Sequence, residues 1–213
     1  MKNTTTLALL TIVPAIGLLL SNDTSAYATN GATWAQLPIP YAINTTNMDL
    51  PESAVEPAVR AGADSWANQS SAAVSFSYTG RSSQTTTGYD GLNLVVFRNA
   101  SSGSAIATTY YWSSGSRLID ADIVFWDAAF RFFSGTTGCS GGFYIEDIAA
   151  HEFGHALGMG HSAIQAATMY PSTSSCNANN RSLDADDIAG ILFLYPPASG
   201  VPRQINNVRV TGS

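Results

Sequence analysis

The chain has 213 residues, of which 45% are hydrophobic and only 11% are charged, and nine Lys and Arg against fifteen Asp and Glu give a net charge of −6. This length and apolar content allow one main domain with a sizeable core and argue against wholesale disorder. The negative charge argues against nucleic acid as a partner.

The N-terminal residues predict an export signal. After a sparse positive start, residues 7–20 form an apolar run, and residues 26–28 read Ala-Tyr-Ala, a small-x-small cleavage site. A membrane anchor is the alternative, which is disfavoured because the run is short and is interrupted by a proline and a glycine. We therefore expect residues 1–28 to be a signal peptide, cleavage to leave no stable membrane span, and the protein to be secreted.

Hydrophobic periodicity predicts the elements of the first half. Residues 33–45 contain alternating apolar positions and indicate a first strand. Residues 52–69 follow a proline that suits a first helical position, and their apolar residues recur at helical spacing, so a helix with one apolar face is expected. Four β-branched or aromatic runs bring the strands to about five in total: 74–78, 92–97, 106–112 and 118–126.

The pattern becomes helical in the second half. Residues 143–157 predict a helix, and Gly158 is a plausible left-handed residue ending it. Another helix is predicted from Asp184 to Tyr195, with carboxylates at its positive N-terminus and two prolines after its end. Residues 198–213 are interpreted as a tail or a linker stub.

The chain contains two cysteines, Cys139 and Cys176. An exported protein meets an oxidising environment, so a disulfide between them is expected. Two free thiols are the alternative.

The segment from His151 to His161, with the sequence HEFGHALGMGH, carries the chemistry. Residues four apart share one face of a helix, so the imidazoles of His151 and His155 can converge on one ion. Gly158 can take positive φ and turn the chain, which brings His161 back to the same ion. Three neutral ligands and one open position are the arrangement of catalytic rather than structural zinc.

Glu152 is the candidate general base. It neighbours a ligand but points about 100° around the helix from it, so it can face a zinc-bound water without binding the metal. Its carboxylate can take the proton of that acidified water and later deliver it to a leaving amine. Scattered core or surface histidines are the alternative, but all three histidines of the chain lie in this motif. We predict a zinc-dependent endopeptidase with one catalytic ion.

This segment resembles the zinc signature of the metzincins, and specifically of the matrixins. Ser162, the sequence ATMYP at 167–171 and the sequence LDADDIAGI at 183–191 are similar to the matrixin pattern. The resemblance is close over residues 145–195. It implies an α+β fold with a twisted, mostly parallel five-stranded sheet, an antiparallel edge strand, two long helices before and at the active site, and a C-terminal helix.

The resemblance also implies roles for individual residues. Met169 would lie in a tight turn that forms a hydrophobic floor beneath the zinc, which agrees with the usual role of Met in core packing. Ile106, Ala107 and Thr108 would lie on the edge strand that pairs with an extended peptide or protein substrate, and an ordinary strand is the alternative. A monomer is expected.

Several positions depart from the animal matrixins. Thr108 and Val124 stand where those proteins carry histidines for a second, structural zinc, so we expect that site to be absent. Residues 171–173 read Pro-Ser-Thr instead of Pro-x-Tyr, so the preference of the main specificity pocket does not transfer. No cysteine precedes Cys139, so the prodomain cysteine that caps the zinc is expected to be missing, as in a prokaryotic-like member.

Calcium, which this family commonly binds, is a second candidate cofactor. Loop or strand carboxylates could contribute to such a site, and solvated carboxylates are the alternative. The candidates are Asp90, Asp120, Asp122 and Asp127.

Two other functions stay open at this point. A hydrolase acting on cell-wall peptides could use the same zinc chemistry. A non-catalytic protein that keeps the metzincin fold for binding is disfavoured, because it would be free to lose Glu152. The expected organisation is a signal peptide at 1–28, a zinc metalloprotease catalytic domain at 29–197 and a tail at 198–213.

Overall fold

The computed structural model of the protein describes residues 26–197. Most of the predicted signal peptide and all of the predicted tail, residues 198–213, lie outside this range. Within it, helices and a mostly parallel sheet form an α+β fold, which confirms the predicted fold class. None of the helices in residues 26–197 has the length and hydropathy needed to cross a membrane.

The main strands and helices lie within a few residues of their predicted positions. The predicted first strand is divided into two, and two further strands of two residues each have no counterpart in the sequence prediction. In chain order the elements are β1 (Thr33–Trp34), β2 (Ile39–Asn44), α1 (Glu52–Asn68), β3 (Phe76–Arg81), β4 (Leu94–Arg98), β5 (Ala107–Ser114), β6 (Arg117–Trp126), β7 (Phe132–Phe133), β8 (Phe143–Tyr144), α2 (Ile145–Ala156) and α3 (Ala185–Leu194).

The main sheet has the strand order β1-β6-β4-β2-β3, and β5 pairs with β6. All of its pairs are parallel except that of β5 with β6, which is antiparallel. Strand β1 adds a short sixth strand to the five that were expected. Among residues 26–197, β5 has β6 as its one strand partner and therefore leaves a free backbone edge.

Helix α2 is held against both α1 and the sheet. At Gly62 of α1 the two helices approach so closely that an added Cβ would lie 2.6 Å from the Cβ of Ala149. The buried indole of Trp66 donates to the carbonyl of Ala150 at 2.8 Å. On the sheet side, the Phe153 ring lies 5.1 Å from that of Tyr41, an edge-on contact favourable for aromatic rings. The position of α2 is fixed from two directions.

Helix α3 begins with a capping box at Asp184, whose carboxylate accepts the Asp186 N–H at 3.1 Å. At the other end of the helix, the Tyr195 hydroxyl donates to the carbonyl of Leu157 at 3.0 Å and accepts the Trp34 N–H at 3.0 Å. These bonds attach the end of α3 to the end of α2 and to β1.

Cys139 and Cys176 form the expected disulfide, with their Cα atoms 5.5 Å apart. The Cys176 N–H donates to the carbonyl of Gly142 at 2.8 Å, and the Ser175 hydroxyl donates to the same oxygen at 3.1 Å. The loop that follows Met169 is thereby joined to the chain just before α2.

Replacing both cysteines by serine should lower the free energy of unfolding by about 3 to 4 kcal/mol. The bridge spans 37 residues, and the unfolded chain regains the corresponding loop entropy when the bridge is lost. Urea denaturation of the oxidised protein and of the double variant measures the difference. The control is Ser172→Ala, which changes the same loop without touching the bridge and should unfold at nearly the parental urea concentration. Equal midpoints for the double variant and the parent would contradict the prediction.

Candidate metal centre

Three imidazole rings converge at the end of α2. Nε2 of His155 lies 3.1 Å from Nε2 of His151 and 3.2 Å from Nε2 of His161. Three nitrogens bound to one tetrahedral zinc at about 2.1 Å would be separated by roughly 3.4 Å. The arrangement therefore fits a single ion of this size, and these residues form the one such group of three or more potential ligands in residues 26–197.

Gly158 allows the chain to return to the helix it has just left. Its φ is +96°, and an added Cβ would lie 2.4 Å from the carbonyl oxygen of Ala32. Positive φ and this close approach both require glycine. The turn places His161 beside the two helical histidines.

Backbone carbonyls orient two of the rings. Nδ1 of His151 lies 2.7 Å from the carbonyl oxygen of Thr168, and Nδ1 of His155 lies 2.9 Å from that of Met159. Because a carbonyl only accepts, Nδ1 must carry the proton, which leaves the lone pair of Nε2 free for a metal. Burial lowers the pKa of His151 to about 3 and also lowers the pKa of His161, and the neighbouring His155 ring acts in the same direction on both. Both rings are therefore kept in the neutral form that binds metal.

The turn around Met169 packs directly against α2. Met169 is fully buried, and an added Cβ at Gly154 of α2 would lie 2.3 Å from its sulfur. The Asp187 carboxylate accepts the N–H of Thr168 at 2.7 Å and that of Met169 at 3.0 Å. The sequence predicted the carboxylates at the start of α3 only as favourable charges at a helix N-terminus, so the bonds of Asp187 to this turn are an addition that the local sequence does not signal.

Asp186 connects α3 with the chain that follows His161 and with the first described residues. Its carboxylate accepts the Ser162 hydroxyl at 2.6 Å and the backbone N–H groups of Ala26 and Tyr27 at 2.6 and 3.1 Å. Cleavage after Ala28 would remove the last two bonds. The predicted boundary at residue 28 stays a prediction.

Glu152 lines a cleft together with the three histidine rings and is only 5% exposed. Its Oε2 accepts a hydrogen bond from the Thr109 hydroxyl at 2.7 Å. Burial raises the pKa of the Glu152 carboxyl, while the nearby His155 ring and hydrogen bonds from Thr109 act in the opposite direction. Sequence reasoning missed Thr109, because one hydroxyl in a polar strand belongs to no recognisable motif.

A cleft of about 840 Å³ contains the three histidines and Glu152. Its lining includes the predicted edge-strand residues Ile106, Ala107 and Thr108, although Ile106 itself precedes the first residue of β5. Residues 171–173 after the Met169 turn also line it. The structure therefore brings the predicted edge strand, metal ligands and general base to one cavity.

Thr108 and Val124, which stand where animal matrixins carry histidines for a structural zinc, are neighbours on two paired strands. Thr108 pairs with Val124 in the β5–β6 register, and the Thr108 hydroxyl accepts the indole N–H of Trp126 at 2.9 Å. The three histidines of the chain are all at the centre described above. The absence of a second zinc at this pair stays a prediction.

Two of the four candidate calcium carboxylates, those of Asp120 and Asp122, lie on β6 and bind backbone N–H groups of the loop that contains Asp90. Buried Asp120 accepts the N–H groups of Asp90 and Gly91, at 2.9 and 2.7 Å, and Asp122 accepts those of Gly88 and Leu94, at 2.9 and 3.0 Å. Oδ1 of Asp120 is fully buried and has no hydrogen-bond partner among the described residues. Asp127 takes no part in these bonds, and its pKa is raised to about 6 by burial and by the charge of Asp49.

Comparison with known proteins agrees with this geometry. The chain matches the Peptidase_M10 family, the matrixins, over residues 33–196. The hatching enzyme of Paracentrotus lividus is 49% identical over 65 residues, which are 30% of this chain and 11% of that protein. Matrix metalloproteinase-18 of Xenopus laevis is 27% identical over 202 residues, 89% of this chain and 38% of the relative. For human neutrophil collagenase the identity is 27% over 172 residues, 76% and 33% of the two chains. The chain thus spans well under half the length of these relatives.

Proposed function

Because the chain belongs to the matrixin family, we propose that it is a secreted zinc-dependent endopeptidase. The observation that carries this proposal is the convergence of three Nε2 atoms beside a buried carboxylate in one open cleft. His151, His155 and His161 would hold one zinc ion, and Glu152 would be the general base. We further propose that residues 29–197 form the catalytic domain and act as a monomer on peptide or protein substrates.

In this proposal, each group of the cleft has a separate role in peptide hydrolysis. Zinc, when bound, would supply Lewis acidity that makes a coordinated water more acidic. The Glu152 carboxylate takes the proton of the attacking water and delivers it to the departing amine. The Nδ1 bonds of His151 and His155 keep both rings in the required tautomer. Glu152 is only 5% exposed, so bulk solvent screens its carboxylate weakly and its electrostatic interactions are stronger than in water.

The free edge of β5 supports an extended peptide as the substrate. Its unpaired backbone N–H and C=O groups can hydrogen-bond a peptide laid along the strand, and this mode of binding fixes the peptide in register. Ile106, Ala107 and Thr108 lie where that strand borders the cleft. Apolar side chains of Phe130, Phe143 and other residues complete the lining and suit an apolar substrate side chain.

We also propose that Asp120 and Asp122 bind calcium. Two buried carboxylates side by side repel each other, and burial together with Asp120 raises the pKa of Asp122 to about 6. The unpartnered Oδ1 of Asp120 is an oxygen donor of the kind that calcium prefers. A cation there would compensate both charges and hold the loop at residues 88–94 that these carboxylates already bind.

Glu152→Gln should lower kcat for casein by about 10² to 10⁴ while zinc stays bound, because the residue acts as a base and not as a ligand. Glu52→Gln is the control; Glu52 is exposed on α1, pairs with Arg81 outside the cleft lining and should be replaceable with little change in kcat. Purified cell-wall fragments are assayed in parallel. Near-parental casein turnover by the Glu152 variant would refute the mechanism, and cleavage of wall fragments alone would replace the proposed substrate class.

The purified protein should contain one zinc per chain after thorough dialysis, measured by elemental analysis. The three histidines are committed to one centre and the two cysteines to a disulfide, which leaves oxygen donors that suit calcium better than zinc. Two tightly held zinc ions would show that the interpretation of Thr108 and Val124 is wrong. A protein without zinc would undo the catalytic assignment.

Calcium at 100 times its dissociation constant should raise the melting temperature of the zinc-loaded protein by roughly 5 to 10 °C, since binding to the folded state adds about 2.7 kcal/mol. Asp120→Asn keeps an acceptor oxygen but loses the charge, and should abolish this increase. Asp127→Asn is the matched control and should retain it. Scanning calorimetry with and without calcium decides the matter: an unchanged melting temperature in the parent, or equal increases in both variants, would exclude the site.

A further inference from the structure

We propose that Thr109 is a positioning residue for Glu152: its hydroxyl fixes the orientation of the carboxylate that acts on the attacking water. The proposal rests on the endopeptidase function proposed above and adds a residue to it. It is carried by one contact, the hydrogen bond from Thr109 Oγ1 to Glu152 Oε2 at 2.7 Å.

The two oxygens of the Glu152 carboxylate have different surroundings, because the Thr109 hydroxyl binds Oε2 and not Oε1. Thr109 Oγ1 is also 3.0 Å from the backbone carbonyl of Glu152, but the hydroxyl has one hydrogen and the ionised carboxylate is the stronger acceptor. Oε1 accepts no side-chain hydrogen bond from the described residues, and it is not among the fully buried unpartnered atoms; the other group of Thr109 that acts on the carboxylate is its backbone N–H. The geometry thus holds Oε2 in place and leaves Oε1 available to water in the cleft.

The hydroxyl is presented from a rigid element. Thr109 pairs with Ile123 within the β5–β6 ladder, with paired residues on both sides of it, and its β-branched side chain has few accessible rotamers. Successive side chains of a strand point to opposite faces, so the neighbouring Thr108 hydroxyl bonds to Trp126 and cannot replace it. In the β5 sequence, the hydroxyl that reaches α2 is therefore that of Thr109.

A carboxylate without this bond can rotate about its last torsions, which are broad for Glu. Chemistry that needs reacting atoms in contact is sensitive to such motion, because small misplacements cost large factors in rate. Hydrogen bonds to charged groups are also among the stronger ones in proteins. We expect removal of the hydroxyl to lower kcat by about 10- to 100-fold and to change KM by less than about twofold, since Thr109 orients the base and not the substrate.

Three variants test this in the full-length, zinc-loaded protein. Thr109→Val keeps the shape and removes the hydroxyl, Thr109→Ser restores the hydroxyl, and Thr79→Val is the control. The Thr79 hydroxyl bonds to the carbonyl of Tyr41 at 2.9 Å, on a strand outside the cleft lining. Thr109→Val should show the loss of kcat with one zinc still bound. Thr109→Ser should recover kcat to within about threefold of the parent, and Thr79→Val should match the parent.

Crystal structures of the parent and of the Thr109→Val and Thr109→Ser variants give a readout independent of turnover. The Glu152 carboxylate should keep one orientation in the parent and in Thr109→Ser, and should be displaced or split between orientations in Thr109→Val. A folded Thr109→Val protein with parental kcat and an unmoved carboxylate would overturn the proposal, as would an equal loss of kcat in Thr109→Ser. If Thr109→Val does not fold, Thr109→Ala takes its place with the same expected outcomes. A parent that cleaves no peptide refutes the proposed endopeptidase function, whereas the carboxylate orientations still decide the role of Thr109.

Discussion

The Asp187 carboxylate holds together the parts of the protein that the metal centre needs. It is fully buried and accepts three backbone N–H groups, those of Thr168, Met169 and Asp184. The carbonyl of Thr168 in turn fixes the ring of His151. Each buried N–H left without an acceptor would cost about 1 to 3 kcal/mol. The orientation of a residue on α2 is therefore coupled to the start of α3, more than thirty residues further along the chain.

Strand β5 contributes both backbone atoms and a side chain to the cleft. In β5, backbone atoms on the free edge are available to an extended substrate, while the side chain of Thr109 reaches the carboxylate of Glu152. Pairing with β6 fixes both, because strand register sets where each residue of β5 lies along the cleft. Under the proposed function, β5 would therefore set both the position of the substrate and the orientation of the base, and a displacement of β5 would disturb both.

Local patterns predicted the elements and the metal ligands, because those patterns act within a few residues. The helix at 143–157 follows from its apolar periodicity, and the convergence of His151 and His155 follows from the pitch of a helix. The contact between Thr109 and Glu152 joins residues 43 apart, and that between Thr168 and Asp187 joins residues 19 apart. Such partners depend on how the strands and helices pack, and neither periodicity nor propensity encodes them. The two-residue strands β7 and β8 were missed because so short a segment has no period.

The loop after Met169 is attached both to α2 and to the chain that precedes it. Cys176 is bridged to Cys139 before α2, and the Arg181 guanidinium donates to Glu146 at 2.7 Å and to Asp147, both on α2. Asp147 is 2% exposed and also accepts the backbone N–H of Arg181 at 3.1 Å. Its charge is therefore compensated by two N–H groups of the guanidinium and by one backbone N–H. Loss of Arg181 would leave a buried carboxylate without its counter-charge, which is far more costly than loss of an exposed pair. Since Asp147, Asn180 and residues 171–173 all line the cleft, this attachment gives the cleft a fixed wall, and its shape is determined by the folded loop before substrate arrives.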